Sequence, residues 1–107
     1  MTRIAVHQDV VTLINVFTVA PERQQPLVDL LVAATEDTMA KLPGFVSANI
    51  HRGLDGTRVA NYAQWRSRAD FEAMLQNAAA AGHMRQATAL ASAEPHLYEV
   101  VSVHEAA

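Results

Sequence analysis

The pattern of apolar and polar residues along the first part of the chain predicts one strand followed by one helix. Residues 10–19 (VVTLINVFTV) are rich in β-branched side chains, which favour a pleated strand, and the following Pro21 cannot continue a ladder. Residues 22–42 form an amphipathic helix that ends at Pro43-Gly44. Its mainly apolar positions recur at helical spacing, at Leu27, Leu30, Leu31, Ala34, Thr38 and Leu42.

Two further strands are predicted on either side of a tight turn. Residues 45–53 and 58–66 flank Leu54-Asp55-Gly56-Thr57, and an Asp-Gly pair readily supplies the positive φ that a tight hairpin needs. We therefore expect these two strands to be antiparallel neighbours.

The second half of the chain repeats the alternation of helix and strand. Ser67-Arg68-Ala69-Asp70 resembles a capping box with Asp in place of Glu, and apolar residues at helical spacing follow it. The alanine-rich residues 78–91 continue this helix after a break near Asn77. Residues 96–105, which follow Pro95, are predicted to be the last strand.

The resulting order, strand-helix-strand-strand-helix-strand, is the doubled unit of the ferredoxin-like fold, an α+β class with helices on one face of an antiparallel sheet. A length of 107 residues fits one domain, spanning residues 1–107. The polar residues 1–9 are expected to form a flexible or extended segment before the first strand.

The two faces of the predicted sheet are both too apolar to face water. Side chains alternate across a strand, so one face carries Thr12, Ile14, Val16, Thr18, Tyr98, Val100, Ser102 and His104. The other face carries Leu13, Asn15, Phe17, Leu97, Val101 and Val103. If helices cover the second face, a partner sheet should cover the first, which predicts a homodimer.

Composition narrows the function classes. Half of the residues are apolar and 18% are charged, which is typical of a packed domain, and the net charge is −3. The eight basic residues are scattered, so no basic stripe for nucleic acid exists. No apolar run can span a bilayer and the N-terminus is polar, from which we expect a cytoplasmic protein without a membrane partner. The absence of cysteine excludes thiolate nucleophiles and cysteine-ligated metals.

The residues with the clearest chemical potential lie on the third strand. Asn61 and Trp65 are four residues apart and point to the same face of the strand. If that face is the helix-covered one, an amide and an indole N–H converge on one pocket, where a bound ligand can satisfy them. The alternative is purely structural, with Trp65 in the core and Asn61 bonded to a neighbouring backbone group.

These residues stand in a longer pattern. Asn61-Tyr62-Ala63-Gln64-Trp65, preceded by Pro43-Gly44-Phe45 and followed by Phe71, His83 and Arg85, resembles the antibiotic biosynthesis monooxygenase family of dimeric α+β barrels. The resemblance spans nearly the whole chain and implies the fold more specifically than the activity. The family also contains haem degraders, quinol oxygenases and proteins of no known role.

The best-matched branch is similar to the oxygenases that convert phenolic or anthrone intermediates of aromatic polyketides into quinones. The resemblance implies a homodimer that uses molecular oxygen and a small aromatic substrate, with no cofactor and no metal. It implies a site lined by Asn61, Trp65, Phe71 and Arg85, although Phe71 stands where the branch can carry tyrosine. Further substrate contacts are expected from Asn15, Phe17, Met74, His83 and Leu97.

The implied chemistry assigns a role to each polar residue. Arg85 is expected to supply a cation to a phenolate or peroxide, and Asn61 and Trp65 the neutral donors. His51 is a candidate base, because an imidazole titrates near neutrality. A two-residue hairpin loop pairs Ile50 with Asn61 and turns His51 to the other face, whereas a three-residue loop with a bulge brings His51 to the Asn61 face.

Two other functions are compatible with the sequence. Haem degraders of the family use an asparagine on the first strand and a histidine on the second helical segment, which Asn15 and His83 match. Met74, however, stands where such enzymes carry an aromatic residue that helps to distort the porphyrin. The third possibility is a non-catalytic dimer that holds a small ligand or none.

Overall fold

The computed structural model describes residues 1–107 and contains one antiparallel sheet and three α-helices. In chain order the elements are β1 (Val11–Val19), α1 (Pro21–Asp37), a one-turn 3-10 helix (Met39–Lys41), β2 (Phe45–Arg52), β3 (Arg58–Trp65), α2 (Arg68–Leu75), α3 (Ala78–Leu90) and β4 (Ala91–Tyr98). The strand order is β2-β3-β1-β4, with every neighbouring pair antiparallel. This is the ferredoxin-like α+β arrangement, which confirms the predicted fold class.

Short polar side chains fix the starts of the helices and the hairpin turn. The Ser67 hydroxyl accepts a hydrogen bond from the Asp70 amide at 3.1 Å and caps α2. Asn77 caps α3 in the same way through the Ala80 amide at 3.0 Å, which explains the predicted break between the two helices. In the hairpin, the Asp55 carboxylate accepts from the Thr57 amide at 2.9 Å.

α1 is shorter than the sequence pattern predicts. It ends at Asp37, and a single 3-10 turn carries the chain towards Leu42. Leu42 precedes Pro43 and has extended backbone angles, φ −85° and ψ 149°. A residue before proline avoids the helical region, so the helix cannot continue to residue 42.

A bulge at the start of β2 sets the side-chain directions around the site. Phe45 pairs with Trp65 but Ser47 already pairs with Gln64, so Val46 is an extra residue on β2. Without it, Phe45 and Ser47 would point to the same face. The bulge places Phe45 beside Trp65 on the helix-covered face and Ser47 on the outer face, within 3.2 Å of Gln64 Oε1.

The fourth strand lies several residues earlier than predicted. β4 spans Ala91–Tyr98 rather than residues 96–105, and residues 99–107 form no regular element. Val100, Ser102 and His104 therefore do not belong to a sheet face, and neither do Val101 and Val103. α3 turns directly into β4, where Pro95 is tolerated because β4 is an edge strand paired only with β1.

The N-terminal segment, residues 1–9, crosses the outer face of the sheet. The Thr2 hydroxyl donates to Asn49 Oδ1 at 2.8 Å, and the Gln64 amide donates to the Arg3 carbonyl at 2.6 Å. Gln64 is only 1% exposed as a result. No helix of the chain has the length and apolar character needed to cross a membrane.

The helices pack on the other face of the sheet over two clusters of buried side chains. The first contains Leu13, Ala63, Trp65, Phe71, Met74 and Ala80. The second contains Phe17, Val19, Leu27, Leu31, Val59 and Ala87. Members of both clusters line a cavity between the sheet and the helices.

Candidate active site

The cavity has a volume of about 340 Å³, and 15 of its 21 lining residues are hydrophobic. This size and character are typical of a site for a small, largely apolar molecule. It brings together eight residues that the sequence assigned to a site: Asn15, Phe17, Asn61, Trp65, Phe71, Met74, His83 and Leu97. They come from β1, β3, β4, α2 and α3, so the site depends on the complete fold.

Asn15 and Asn61 form the polar centre of the cavity wall. The two residues are direct partners in the antiparallel β1–β3 ladder, so their side chains lie next to each other on the helix-covered face. The Oδ1 atom of each is buried and has no hydrogen-bond partner in the chain. A buried acceptor without a partner costs about 1–3 kcal/mol. Two such atoms lie side by side in the wall of an apolar cavity, with hydrogen-bonding capacity that the chain itself does not use.

Trp65 forms the adjoining part of the wall. Its side chain is 2% exposed, and its ring meets Phe45 edge-on at 5.6 Å between ring centroids and Phe71 at 6.5 Å. These two contacts hold the indole in one orientation. Phe71 therefore contributes to the site by packing against Trp65. The branch that the sequence resembles can carry a tyrosine at this position, and Phe71 lacks its hydroxyl.

His83 lines the cavity from α3 and is held by the end of α1. Its Nε2 atom lies 3.0 Å from the hydroxyl oxygen of Thr38, the C-terminal capping residue of α1. The ring also borders a shallow groove on the outside of α3. No group of three or more His, Asp or Glu side chains is arranged to hold a metal ion.

The structure does not bring His51 to the cavity. Ile50 pairs with Asn61 and His51 pairs with Ala60, which is the register of the two-residue loop. His51 is consequently exposed on the outer face, where its Nδ1 lies 3.0 Å from the Asn49 carbonyl oxygen. The expectation of a catalytic base at His51 is corrected by this register.

Arg85 also lies outside the cavity. It is exposed and borders the outer groove on α3, together with Gly82 and Gln86. The helical period explains this placement, since Ala80 and Ala87 face the sheet and Arg85 projects from another side of the helix. The cation expected at the site is therefore not supplied by Arg85 within this chain.

Other lining residues were not identified from the sequence. α1 contributes Leu31 and Thr35, and the 3-10 turn after it contributes Met39. Consecutive residues of this set are four apart, so they lie on one side of the two helical segments. β2 contributes Phe45, Ala48 and Ile50. The spacing on α1 was visible in the sequence, but the bulge that turns Phe45 inward has no local signal.

Comparison with known proteins identifies the family of the chain. The sequence profile of the family described as "Antibiotic biosynthesis monooxygenase" matches residues 10–89. The chain is 46% identical over 100 residues to a protein of Streptomyces glaucescens named Tetracenomycin-F1 monooxygenase, covering 94% of this chain and 89% of the relative.

Two solved structures share the fold and are at least 25% identical to this chain in sequence. SnoaB, a cofactor-independent oxygenase from Streptomyces nogalater, superposes with a TM-score of 0.75 at 28% identity over 90% of this chain and 97% of its own. A monooxygenase from the gene ActVA-Orf6 of Streptomyces coelicolor, in complex with Nanaomycin D, gives 0.76 at 25% identity over 91% and 92%. The chain belongs to the antibiotic biosynthesis monooxygenase family.

Proposed function

We propose that this chain is a cofactor-independent monooxygenase that oxidises a phenolic, anthrone or quinol-type aromatic polyketide intermediate to a quinone with molecular oxygen. The observation that carries the proposal is the pair of unsatisfied amide oxygens, Asn15 Oδ1 and Asn61 Oδ1, in a cavity that is otherwise mostly hydrophobic. The names of the relatives, Tetracenomycin-F1 monooxygenase and the cofactor-independent SnoaB, support the same reading.

The paired oxygens select for a ligand that donates hydrogen bonds. Carbonyl oxygens of amides accept but cannot donate, so their complement is a hydroxyl group. The surrounding walls complement flat apolar rings, with Trp65 and Phe45 on one side and Met39 and Met74 among the other lining residues. A polycyclic aromatic molecule with hydroxyl groups on one edge satisfies both requirements.

The same groups suit the chemistry of oxygen activation. Triplet oxygen reacts slowly with closed-shell carbon unless the substrate is rich enough in electrons to give one up, as a phenolate or anthrone anion is. We infer that the amide N–H groups of Asn15 and Asn61 and the indole N–H of Trp65, which all line this mostly hydrophobic cavity, donate to an oxyanion or peroxide anion and stabilise it. Substrate and O₂ then give a quinone and water, with one oxygen atom of O₂ in each.

We infer that the active form is a homodimer that pairs the outer faces of two sheets. Within one chain this face leaves Ile14 and Val16 half-buried and Tyr98 47% exposed. Apolar surface of this kind on a small domain is commonly covered by a second copy. The cavity lies on the opposite face of the sheet, so each protomer keeps its own site.

The ligand class can be tested by fluorescence before any turnover is measured. Trp65 is the only tryptophan and lines the cavity, so its emission reports occupancy directly. Under anaerobic conditions, dithranol, a dihydroxyanthrone, should quench it with saturation, and its dimethyl ether should bind at least about 10-fold more weakly because it cannot donate to the two asparagines. Equal affinity for both compounds would contradict the proposal.

A matched variant identifies the groups that distinguish the two compounds. In Asn61→Ala the preference for the free phenol should fall, because one acceptor is gone. Asn49→Ala removes an asparagine from the outer face of the same sheet, where it bonds to Thr2 and the Tyr62 carbonyl, and should leave the preference unchanged.

A further inference from the structure

Only two ionisable side chains line the cavity, His83 and His96, and no aspartate, glutamate, lysine or arginine does. The proposed oxidation begins from a deprotonated substrate, so a proton must leave the bound molecule, from the hydroxyl of a phenol or from the acidic carbon of an anthrone. In a cavity this apolar, a phenolate without a neighbouring cation is costly. The group that receives the proton is therefore best placed inside the cavity, where it also becomes the cation that the anion needs.

His83 is placed for this role and His96 is not. His96 pairs with Ile14 on β4, is exposed, and its ring meets Tyr98 edge-on at 6.5 Å on the outer side of the sheet. His83 is partly buried on α3, which packs over the helix-covered face. Its ring is fixed through the 3.0 Å contact between Nε2 and Thr38 Oγ1.

We propose that His83 accepts the proton that the bound substrate loses on ionisation and that Thr38 is the positioning residue that holds the imidazole for this step; this rests on the oxygenase function proposed above. The step uses the tautomer in which Thr38 Oγ1 accepts a hydrogen bond from Nε2–H, which leaves Nδ1 as the nitrogen with a free lone pair. The O–H bond of a phenol, or the C–H bond at the acidic carbon of an anthrone, breaks. Its electron pair stays on the substrate as the phenolate or anthrone anion, and the proton forms an Nδ1–H bond.

The resulting imidazolium takes the place of the cation expected from Arg85. The same proton transfer produces the imidazolium and the substrate anion. In a low-dielectric cavity each of these two opposite charges stabilises the other. The imidazolium returns its proton to the peroxide anion, giving a hydroperoxide. The oxygen–oxygen bond then breaks as the carbon that bears the hydroperoxide loses its hydrogen as a proton, and the hydroxide that leaves combines with this proton to give water and the quinone. His83 is thereby neutral again for the next turnover.

The charged groups around this histidine are few and lie towards solvent. Arg85 follows on α3 and is exposed, Asp37 precedes Thr38 at the end of α1 and is exposed, and β4 contributes His96 at the edge of the cavity. Interactions of exposed charges are screened by salt. Exposed charges such as these therefore contribute little to the stability of an anion inside the cavity.

The proposal is tested by the ionisation state of a bound ligand in the absence of oxygen. Dithranol anion absorbs at longer wavelength than the neutral molecule, so anaerobic titration of the wild-type protein at neutral pH should show the anion band on binding. His83→Asn should bind dithranol without that band. Thr38→Val should show a weaker band, because the ring keeps its base but loses the partner of Nε2–H.

Controls and kinetics separate this role from a structural one. His51→Asn, on the outer face of the sheet, should keep the wild-type anion band, and circular dichroism should show that all variants are folded. In air, turnover of His83→Asn at neutral pH should fall about 100-fold and recover as the pH approaches the pKa of free dithranol, where no base is needed. An unchanged anion band in His83→Asn, or no band in the wild type, overturns the proposal. An anion band without oxygen uptake instead refutes the oxygenase function and leaves the proton acceptor standing.

Discussion

Asn15 and Asn61 are direct cross-strand partners on β1 and β3, and each buries a side-chain oxygen that nothing in the chain satisfies. A domain of this size has a net stability of about 5–15 kcal/mol, so two unsatisfied acceptors at about 1–3 kcal/mol each are a large cost. Two bound hydroxyl groups, one donating to each oxygen, recover it. The same two oxygens therefore affect both the stability of the unliganded chain and its ligand preference. The two effects can be measured separately.

The first prediction is that Asn61→Leu stabilises the protein and impairs its reaction. Leucine has a similar volume and no acceptor to leave unsatisfied, so the free energy of unfolding should rise by about 1 kcal/mol, a Tm increase of several degrees. Turnover should fall roughly 100-fold because a donor to the reacting oxygen is lost. Thermal unfolding and oxygen uptake on the same preparation measure both effects.

Asn49→Leu is the control for this experiment. Both polar atoms of the Asn49 side chain are bonded, to Thr2 and to the Tyr62 carbonyl, so its replacement should destabilise the protein by about 1 kcal/mol and leave turnover intact. If the two leucine variants lose equal amounts of stability, the unpaired Oδ1 of Asn61 does not lower the free energy of unfolding.

The second prediction concerns two glycines with the same backbone conformation. Gly44 and Gly56 have φ of +81° and +83°, where alanine is strained by roughly 1 kcal/mol or more. A Cβ at Gly56 would meet only Pro21 Cβ at 3.8 Å, whereas at Gly44 it would lie 2.3–2.4 Å from the side chain of Asp70 at the start of α2. Gly44→Ala should therefore be more destabilising than Gly56→Ala.

Chemical denaturation of both alanine variants gives the comparison directly. The excess loss in Gly44→Ala measures the close approach of the chain before β2 to α2, which carries Phe71 and Met74 of the cavity. Equal losses would mean that α2 moves away from residue 44 without cost.

The third prediction tests the dimer through the outer sheet face. Val16→Asp places a charge in the middle of that face and should yield a monomer by light scattering at micromolar concentration, or an unfolded chain. Val32 is 37% exposed on α1, away from this face, and Val32→Asp should remain dimeric. A wild-type monomer would refute the dimer itself, and a dimeric, folded Val16→Asp would place the interface elsewhere.

The fourth prediction concerns the hairpin turn. The Thr57 amide and then the Thr57 hydroxyl, each donating to the carboxylate, hold the pKa of Asp55 below its usual value. Because the pKa is lower in the folded state, the carboxylate stabilises the turn above the unfolded pKa near 3.8, and this contribution is lost as the pH falls through the folded value.

NMR titration of the Asp55 side chain in wild type and in Thr57→Val measures the shift. The valine variant keeps the backbone donor and removes the hydroxyl, so its pKa should rise part of the way towards the ordinary value. A pKa unchanged by Thr57→Val would show that the hydroxyl does not contribute.

The fold was predictable because its signals are local. The cap at Ser67, the break at Asn77 and the Asp55-Gly56 turn each act within a few residues, and together they set the order of the elements. β4 was misplaced because Ala91, Ser92 and Ala93 have low strand propensity. Pairing along β1 decides their structure, and such pairing is not visible in the local sequence.

The residues of the site were predictable where the alternation of side chains along a strand fixes the face to which each one points. They were less predictable where the direction of a side chain depends on how other elements pack. Asn15, Asn61 and Trp65 follow from the period of two on β1 and β3. His51 depended on the hairpin register, which the sequence left open. Arg85 was assigned from resemblance, and its direction is set by how α3 rotates on the sheet, which only tertiary packing determines.

Oxygen uptake by the purified wild-type protein tests the central claim most directly. With dithranol as substrate, a metal chelator present and no added flavin, uptake should exceed the spontaneous rate and consume one O₂ for each quinone formed. In Trp65→Phe, which keeps most of the ring volume, and in Asn61→Ala the excess should fall by roughly 100-fold while the fold is retained. Uptake that requires added flavin, metal or haemin, or that is equal in all three proteins, would contradict the account.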